Sequence, residues 1–315
     1  MAVAFTFPGQ GSQAVGMGKD LADAFPEARR VFQEVDDALG ENLSKLIWEG
    51  PEETLTLTAN AQPALMAVSL AAIRALEARG FSLKDKVAYV AGHSLGEYSA
   101  LAAAGFVSVA DAARLLRIRG NAMQAAVPAG EGAMAAIIGL EQADVEATCT
   151  EAAQGSGKVC QIANDNGGGQ LVISGAKAAV ELAAKLCTEK GAKRALMLQV
   201  SAPFHSALMA PAANVMRDAL AGVTKHAPAV PVLSNVTVTP TSDPEEIARR
   251  LVEQITGRVR WRETVEWFGA NGVTTLYEIG AGKVLSGLAR RINRDIATSA
   301  VGTPADVEAA LATFA

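Results

Sequence analysis

Residues 86–105 read KVAYVAGHSLGEYSALAAAG, and the fold class turns on this stretch. Val87, Tyr89 and Val90 make a short β-prone run that stops at Gly92. Ser94 stands between His93 and Leu95, Gly96 follows, and an alanine-rich segment runs to a helix-ending Gly105. Strand, Gly-x-Ser-x-Gly and helix, in that order, make a nucleophile elbow. Its glycines permit a crowded turn that lifts the serine hydroxyl out at the strand's carboxyl end. The backbone N–H of Leu95 is then free to bind an oxyanion, and the helix N-terminus adds partial positive charge. The rival reading is a chance match in a chain with 29 glycines. The flanks favour the elbow, because Ala100, Ala102, Ala103 and Ala104 let the helix lie close on a sheet.

Toward the N-terminus, an apolar strand from Val3 to Phe7 runs into Pro8-Gly9-Gln10-Gly11-Ser12-Gln13. Glycines after a strand suggest a dinucleotide loop, but that motif needs a second strand ending in an acid about 20 residues on. Residues 26–39 instead have helical spacing, with Val31, Val35 and Leu39 on one stripe, so the cofactor reading fails. A core helix is expected over Thr58 to Arg79, with Asn60 before Pro63 as its start signal and a stop at Gly80. In the next helix, 111–126, Ala112, Leu115, Leu116, Ala122, Met123 and Ala126 form an apolar stripe with Arg119 inside it. A guanidinium on a buried face must find an anion. From the residues alone, that anion is either an internal acid or a ligand.

Past Pro128 and Gly130 the pattern becomes strand, helix, strand, strand, helix, strand over residues 133–200, the ferredoxin-like order. The Asn164–Gly169 loop reads as a turn between its middle strands, with a substrate-lining role left open. The chain then reaches Ser201-Ala202-Pro203-Phe204-His205-Ser206. Of three histidines, His93 should point away from the turn and His226 lies in a Pro-rich connection, which leaves His205 as the base for Ser94. No acid between Ser94 and His205 reads as a third member, a departure from the α/β-hydrolase order. Further on, a strand is expected at 230–238, helices at 244–256 and 261–271, a strand at 274–279 and a helix at 283–293. Gly280-Ala281-Gly282-Lys283 is a poor phosphate loop, lacking the upstream glycine and the Ser/Thr. The last fifteen residues read as peripheral.

Composition bounds the rest. With 315 residues and 50% hydrophobic content, the chain can bury one large core plus a subdomain. A net charge of −5 argues against a general nucleic-acid binder. Cys149, Cys160 and Cys187, odd in number and without CxxC spacing, suggest a reducing compartment, and three scattered histidines make a metal site improbable. Nothing resembles a signal peptide or a membrane span, so a cytoplasmic protein is expected.

GHSLGEYSALAAAG, with PGQGSQ at 8–13 and SAPFHSALM at 201–209, resembles the malonyl-CoA:acyl-carrier-protein transacylase family of bacterial fatty acid synthesis over nearly the whole chain. The resemblance implies an α/β-hydrolase-like large domain of mostly parallel sheet, residues 1–127 and 201–315, with an inserted ferredoxin-like subdomain at 128–200. It implies a Ser94–His205 pair whose imidazole is oriented by a backbone carbonyl near Gln254. It assigns the oxyanion hole to Gln10 and Leu95, and the substrate side to Arg119, Phe204 and Gln254. Arg119 would bind the malonyl carboxylate, and Phe204 would mark malonyl over methylmalonyl. Coenzyme A thioester and acyl carrier protein would be substrates, with no cofactor and no metal, and a monomer is expected. Arg290, Arg291, Arg294, Lys193 and Arg194 are candidates for the carrier's docking surface, or simply a solvated face. The rivals are a serine acyl hydrolase or thioesterase, an acyltransferase of a polyketide pathway, and a non-catalytic scaffold.

Overall fold

The first strand, β1 (Ala2–Phe7), divides its side chains between two cores. Phe5 and Phe7 point to one face and Ala4 to the other, and all three are fully buried. A strand buried on both faces must be covered by helices on both, which is the condition for a parallel sheet. The computed structural model describes residues 2–314 and shows that arrangement. Beside β1 lie β2 (Tyr89–Gly92) and β9 (Val273–Ile279), both parallel to it. The small sheet takes β3 (Gly132–Ile138), β4 (Cys160–Asp165), β5 (Gln170–Ala176) and β6 (Arg194–Met197). The large sheet is completed by β7 (Val232–Leu233), β8 (Pro240–Thr241) and β10 (Ala297–Val301), in the order β10-β9-β1-β2-β7-β8. Only the β7–β8 pair is antiparallel.

The small sheet is antiparallel throughout, in the order β4-β5-β3-β6, with the helices Gln142–Ser156 and Lys177–Glu189 on one face. Its core holds all three cysteines, free and buried. The chain order of these elements is the one read from the sequence. The sheet docks by the edge of β4: Asp165 N–H donates to Val259 O at 2.9 Å and Val259 N–H to Ala163 O at 2.8 Å. The Asp165 carboxylate, 3% exposed, accepts from Arg262 Nε at 2.8 Å.

Three expectations are corrected. The run 230–238 yields only the two residues of β7, because Ser234 to Thr239 folds into a turn whose Val238 N–H donates to Ser234 O. The core helix begins at Thr58 as expected and runs to Glu77, but Asn60 is not its start signal: it lies inside the first turn and sends its amide to Thr54 O. The last fifteen residues are not peripheral. They hold Val301, the buried end of edge strand β10, and the helix Pro304–Phe314, whose final ring packs on Phe5, Phe81 and Tyr277.

The elbow itself is set by two glycines. A Cβ on Gly92 would lie 1.9 Å from the backbone of Gly96, and one on Gly96 would lie 2.2 Å from Phe7 O. Neither obstacle is a side chain that could swing aside. Gly92→Ala is therefore expected to cost on the order of 4 kcal/mol, read as a lowered urea midpoint at unchanged slope. A midpoint equal to wild type would mean that the turn is looser than this packing.

Candidate active site

Strand β2 ends at Gly92 and the helix Leu95–Ala103 begins three residues later, so Ser94 must turn the chain on its own. It does so at φ 54°, ψ −111°, a conformation costing a non-glycine residue about 1–3 kcal/mol. Asn235, fully buried just after β7, holds it there. Its Oδ1 accepts from Ser94 N–H at 2.8 Å, and its Nδ2 donates to Gly92 O at 2.7 Å. Sequence reasoning missed Asn235, since nothing in SNV distinguishes it from a loop asparagine.

The hydroxyl so presented lies 2.7 Å from His205 Nε2. His205, 3% exposed, is itself held at φ 56° in the loop before the helix Ala210–Ala221. Its Nδ1–H donates to Gln254 O at 2.9 Å and Gly257 O at 3.1 Å. Those carbonyls can only accept, so the proton sits on Nδ1 and Nε2 is left as the acceptor facing the serine. Burial, and then the Arg119 cation, push the imidazole down to about 3. It is therefore neutral at working pH, the form that can take a proton. The other two histidines have no such place. His93 Nε2 meets Asn166 Oδ1 at 2.9 Å, turned from the serine hydroxyl although it still borders the cavity, and His226 is exposed.

Arg119, 1% exposed on the helix Val109–Ala125, reaches the same hydroxyl from the other side, Nη2 to Ser94 Oγ at 3.1 Å. Its further acceptors are neutral amides: Gln62 Oε1 at 2.8 Å and Gln254 Oε1 at 2.9 Å. The guanidinium also lies over the Tyr98 ring, 5.6 Å from its centroid. Its helix neighbours go elsewhere, Arg114 to Asp111 and Arg117 to Glu41 and Asn60. Among the described residues no carboxylate pairs with Arg119, so the internal salt bridge is not formed. Gly120 makes the placement possible. A Cβ there would lie 2.5 Å from Ala59 Cα, so only glycine lets this helix rest directly on the start of Thr58–Glu77.

Gln254, fully buried, meets Arg119 through its side-chain oxygen and His205 through its backbone carbonyl. Its amide Nε2–H donates to Ser94 O at 3.0 Å and to Glu97 Oε2 at 2.7 Å. Glu97 is 2% exposed and also accepts from Asn235 N–H at 3.2 Å. Burial lifts its carboxyl to about 7, against the hydrogen bonds from Gln254 and Asn235 and the pull of Arg119 and Arg250. The signal for it in the sequence is a lone charge in a short, otherwise uncharged helix.

A folded value above the ordinary one means stability that is present at low pH and lost as pH rises to about 7. Glu97→Gln removes that titration. The melting temperature of the variant minus that of wild type is therefore expected to grow from pH 5 to 7.5. A difference independent of pH would mean that Glu97 is ionised throughout.

A cavity of about 570 Å³ opens over Ser94, His205 and Arg119, between the two sheets. Gln10, Leu95, Phe204, Asn164 and Asn166 border it; Asn164 belongs to the end of β4, and the turn that follows brings Asn166 to the wall. Among the described residues neither Gln10 N–H nor Leu95 N–H has an acceptor. Of the five basic residues named above, Arg291 alone is at the cavity. Gly280-Ala281-Gly282-Lys283 is no anion cradle: buried Glu278 already accepts from Leu285 and Ser286 N–H, at 3.0 and 2.7 Å, filling that helix N-terminus. No helix among the described residues is long and apolar enough to cross a membrane.

A serine, a neutral imidazole held as acceptor, two free N–H groups and a cation in one cleft can carry acyl transfer through a serine ester. Known proteins with this likeness agree. A family model described as acyl transferase domain matches residues 4–300. The malonyl CoA-acyl carrier protein transacylase of Bacillus subtilis (strain 168) is 48% identical over 312 residues, covering 99% of this chain and 97% of that protein. The protein of the same name from Escherichia coli (strain K12) is 48% identical over 308 residues, covering 98% of each. The crystal structure of acyl-carrier-protein-S-malonyltransferase from Bartonella henselae is 65% identical and superposes with a TM-score of 0.98 over 100% of this chain and 99% of that one. A malonyl-transacylase in complex with a type II PKS acyl-carrier protein is 45% identical, with a TM-score of 0.95 over 99% and 100% of the two chains. With full-length identity near one half and superposition from end to end, the chain belongs to the acyltransferase family of the malonyl CoA-acyl carrier protein transacylases.

Proposed function

We propose that the protein moves a malonyl group from malonyl-CoA to the phosphopantetheine thiol of holo-acyl carrier protein, through a malonyl ester on Ser94. The observation that carries this reading is Arg119, a buried cation on neutral amides, with no acid of its own, 3.1 Å from the serine hydroxyl. A small acyl group ending in a carboxylate is the ligand that completes it.

Ser94 Oγ attacks the thioester carbonyl as His205 Nε2 takes its proton. Gln10 and Leu95 N–H hold the tetrahedral oxyanion. The C–S bond breaks, and the coenzyme A sulfur leaves with the proton from His205. The carrier's thiol then gives its proton to the same nitrogen while attacking the ester, and Ser94 Oγ leaves as the hydroxyl, the proton returned. No metal or cofactor enters either half. Phe204 on the wall supports malonyl over methylmalonyl, a discrimination one methyl limits to about 1–3 kcal/mol.

Weighing enzyme, malonyl-CoA and holo-carrier after mixing tests the whole reading. The enzyme is expected to gain one malonyl group when carrier is absent, and to pass it on when carrier is added. Rapid release of free malonate without carrier would make the protein a hydrolase, and an enzyme that gains no mass would make it non-catalytic.

A further inference from the structure

We infer that Thr58 is a positioning residue for the oxyanion hole, anchoring the Gln10 loop to Arg119 through Gln62. The inference rests on the reading above, in which Gln10 N–H binds the oxyanion. Gln10 itself is exposed, on a loop between Gly9 and Gly11, and Gly11 stands at φ +104°. Such a loop does not hold an N–H in aim unless something rigid grips it.

The grip is a chain of three hydrogen bonds. Arg119 Nη1–H donates to Gln62 Oε1 at 2.8 Å, Gln62 Nε2–H to Thr58 Oγ1 at 2.8 Å, and Thr58 Oγ1–H to Gln10 Oε1 at 2.9 Å. Its sense is dictated from one end. A guanidinium has no acceptor, so Gln62 must offer it the oxygen and turn its NH₂ to Thr58. The threonine oxygen, receiving that N–H, has its own proton left to give, and the Gln10 amide must present oxygen to it. Thr58 and Gln62 are 0% and 1% exposed, on the helix that Gly120 lets Arg119 touch. A buried cation thus fixes the orientation of an exposed amide about as far away as two side chains can reach. Of the two linking residues Gln62 borders the cavity and Thr58 does not, so Thr58 can act on the loop without touching substrate.

The measurement is single-turnover malonylation of Ser94 by malonyl-CoA, quenched and read by intact mass. Thr58→Val is expected to slow the step about tenfold with the malonyl-CoA concentration at half-maximal rate within about twofold, since the loop is misaimed but the acyl pocket is kept. Thr58→Ser, which retains the hydroxyl, is expected to restore it. Gln10→Ala keeps the backbone N–H and loses only the anchor, and is expected to be as slow as Thr58→Val. The double variant should be no slower than either single one. Thr58→Val at the wild-type rate, failure of Thr58→Ser to rescue, or losses that multiply in the double variant would each overturn the inference. Should Thr58→Val not fold, Gln10→Ala decides on its own, because it alters an exposed residue; a wild-type rate there also overturns the inference. Absence of any adduct on the wild-type enzyme would instead sink the proposed function, and the anchor with it.

Discussion

Ser94→Ala is expected to abolish the malonyl-enzyme and to lower transfer by about 10⁶, the scale on which a nucleophile and its base fail together. The size follows from what the hydroxyl touches. It is the acceptor for Arg119 Nη2 at 3.1 Å and the donor to His205 Nε2 at 2.7 Å, so nothing else in the cleft can replace it. Residues acting as one unit lose their value once, so adding His205→Ala to Ser94→Ala should cost almost nothing more. Intact mass after mixing with malonyl-CoA checks the first claim. A malonyl adduct on the alanine variant would remove Ser94 as the nucleophile.

Arg119→Ala is the second large effect, and its direction depends on the acyl group. For malonyl, the variant must accept a carboxylate into a cleft with no cation, a loss on the order of 2–5 kcal/mol. For acetyl, the wild-type enzyme leaves a buried cation facing a methyl group, and deletion relieves that mismatch. Malonyl transfer should therefore fall while acetyl transfer rises, and an equal fall of both would make the arginine a structural residue only. The same variant alters the base. Arg119 is the second cause, after burial, of the low His205 pKa, so removing it should move the acid limb of acetyl transfer upward in pH. Arg119→Lys should not restore the site, since one ammonium cannot span Gln62, Gln254 and the serine as the planar fork does.

What could be read in advance follows from how local each signal was. The elbow and the order of the small sheet's elements are written in consecutive residues, through β-prone runs, glycine stops and helical stripes, and both stand in the structure. Arg119 could be singled out because a charge inside an apolar stripe breaks a periodic rule. The groups that hold the site were not legible. Asn235 meets Ser94 across 141 positions and Gln62 meets Arg119 across 57, and a lone polar residue in a buried helix does not name its partner. The short β7 misled for a related reason. An apolar run marks burial, and Val230, Val232 and Leu233 are buried, but burial alone does not extend a strand through a turn.

The Gln254 side chain has a consequence for turnover. It stands between Arg119 and Glu97, offering oxygen to the one at 2.9 Å and N–H to the other at 2.7 Å. Were the glutamate in direct contact instead, it would be a tethered inhibitor, present on every molecule at a concentration no free thioester could outcompete. One neutral spacer keeps the Glu97 carboxyl off the guanidinium, so that under the proposed function the cation meets the incoming diacid without an internal rival.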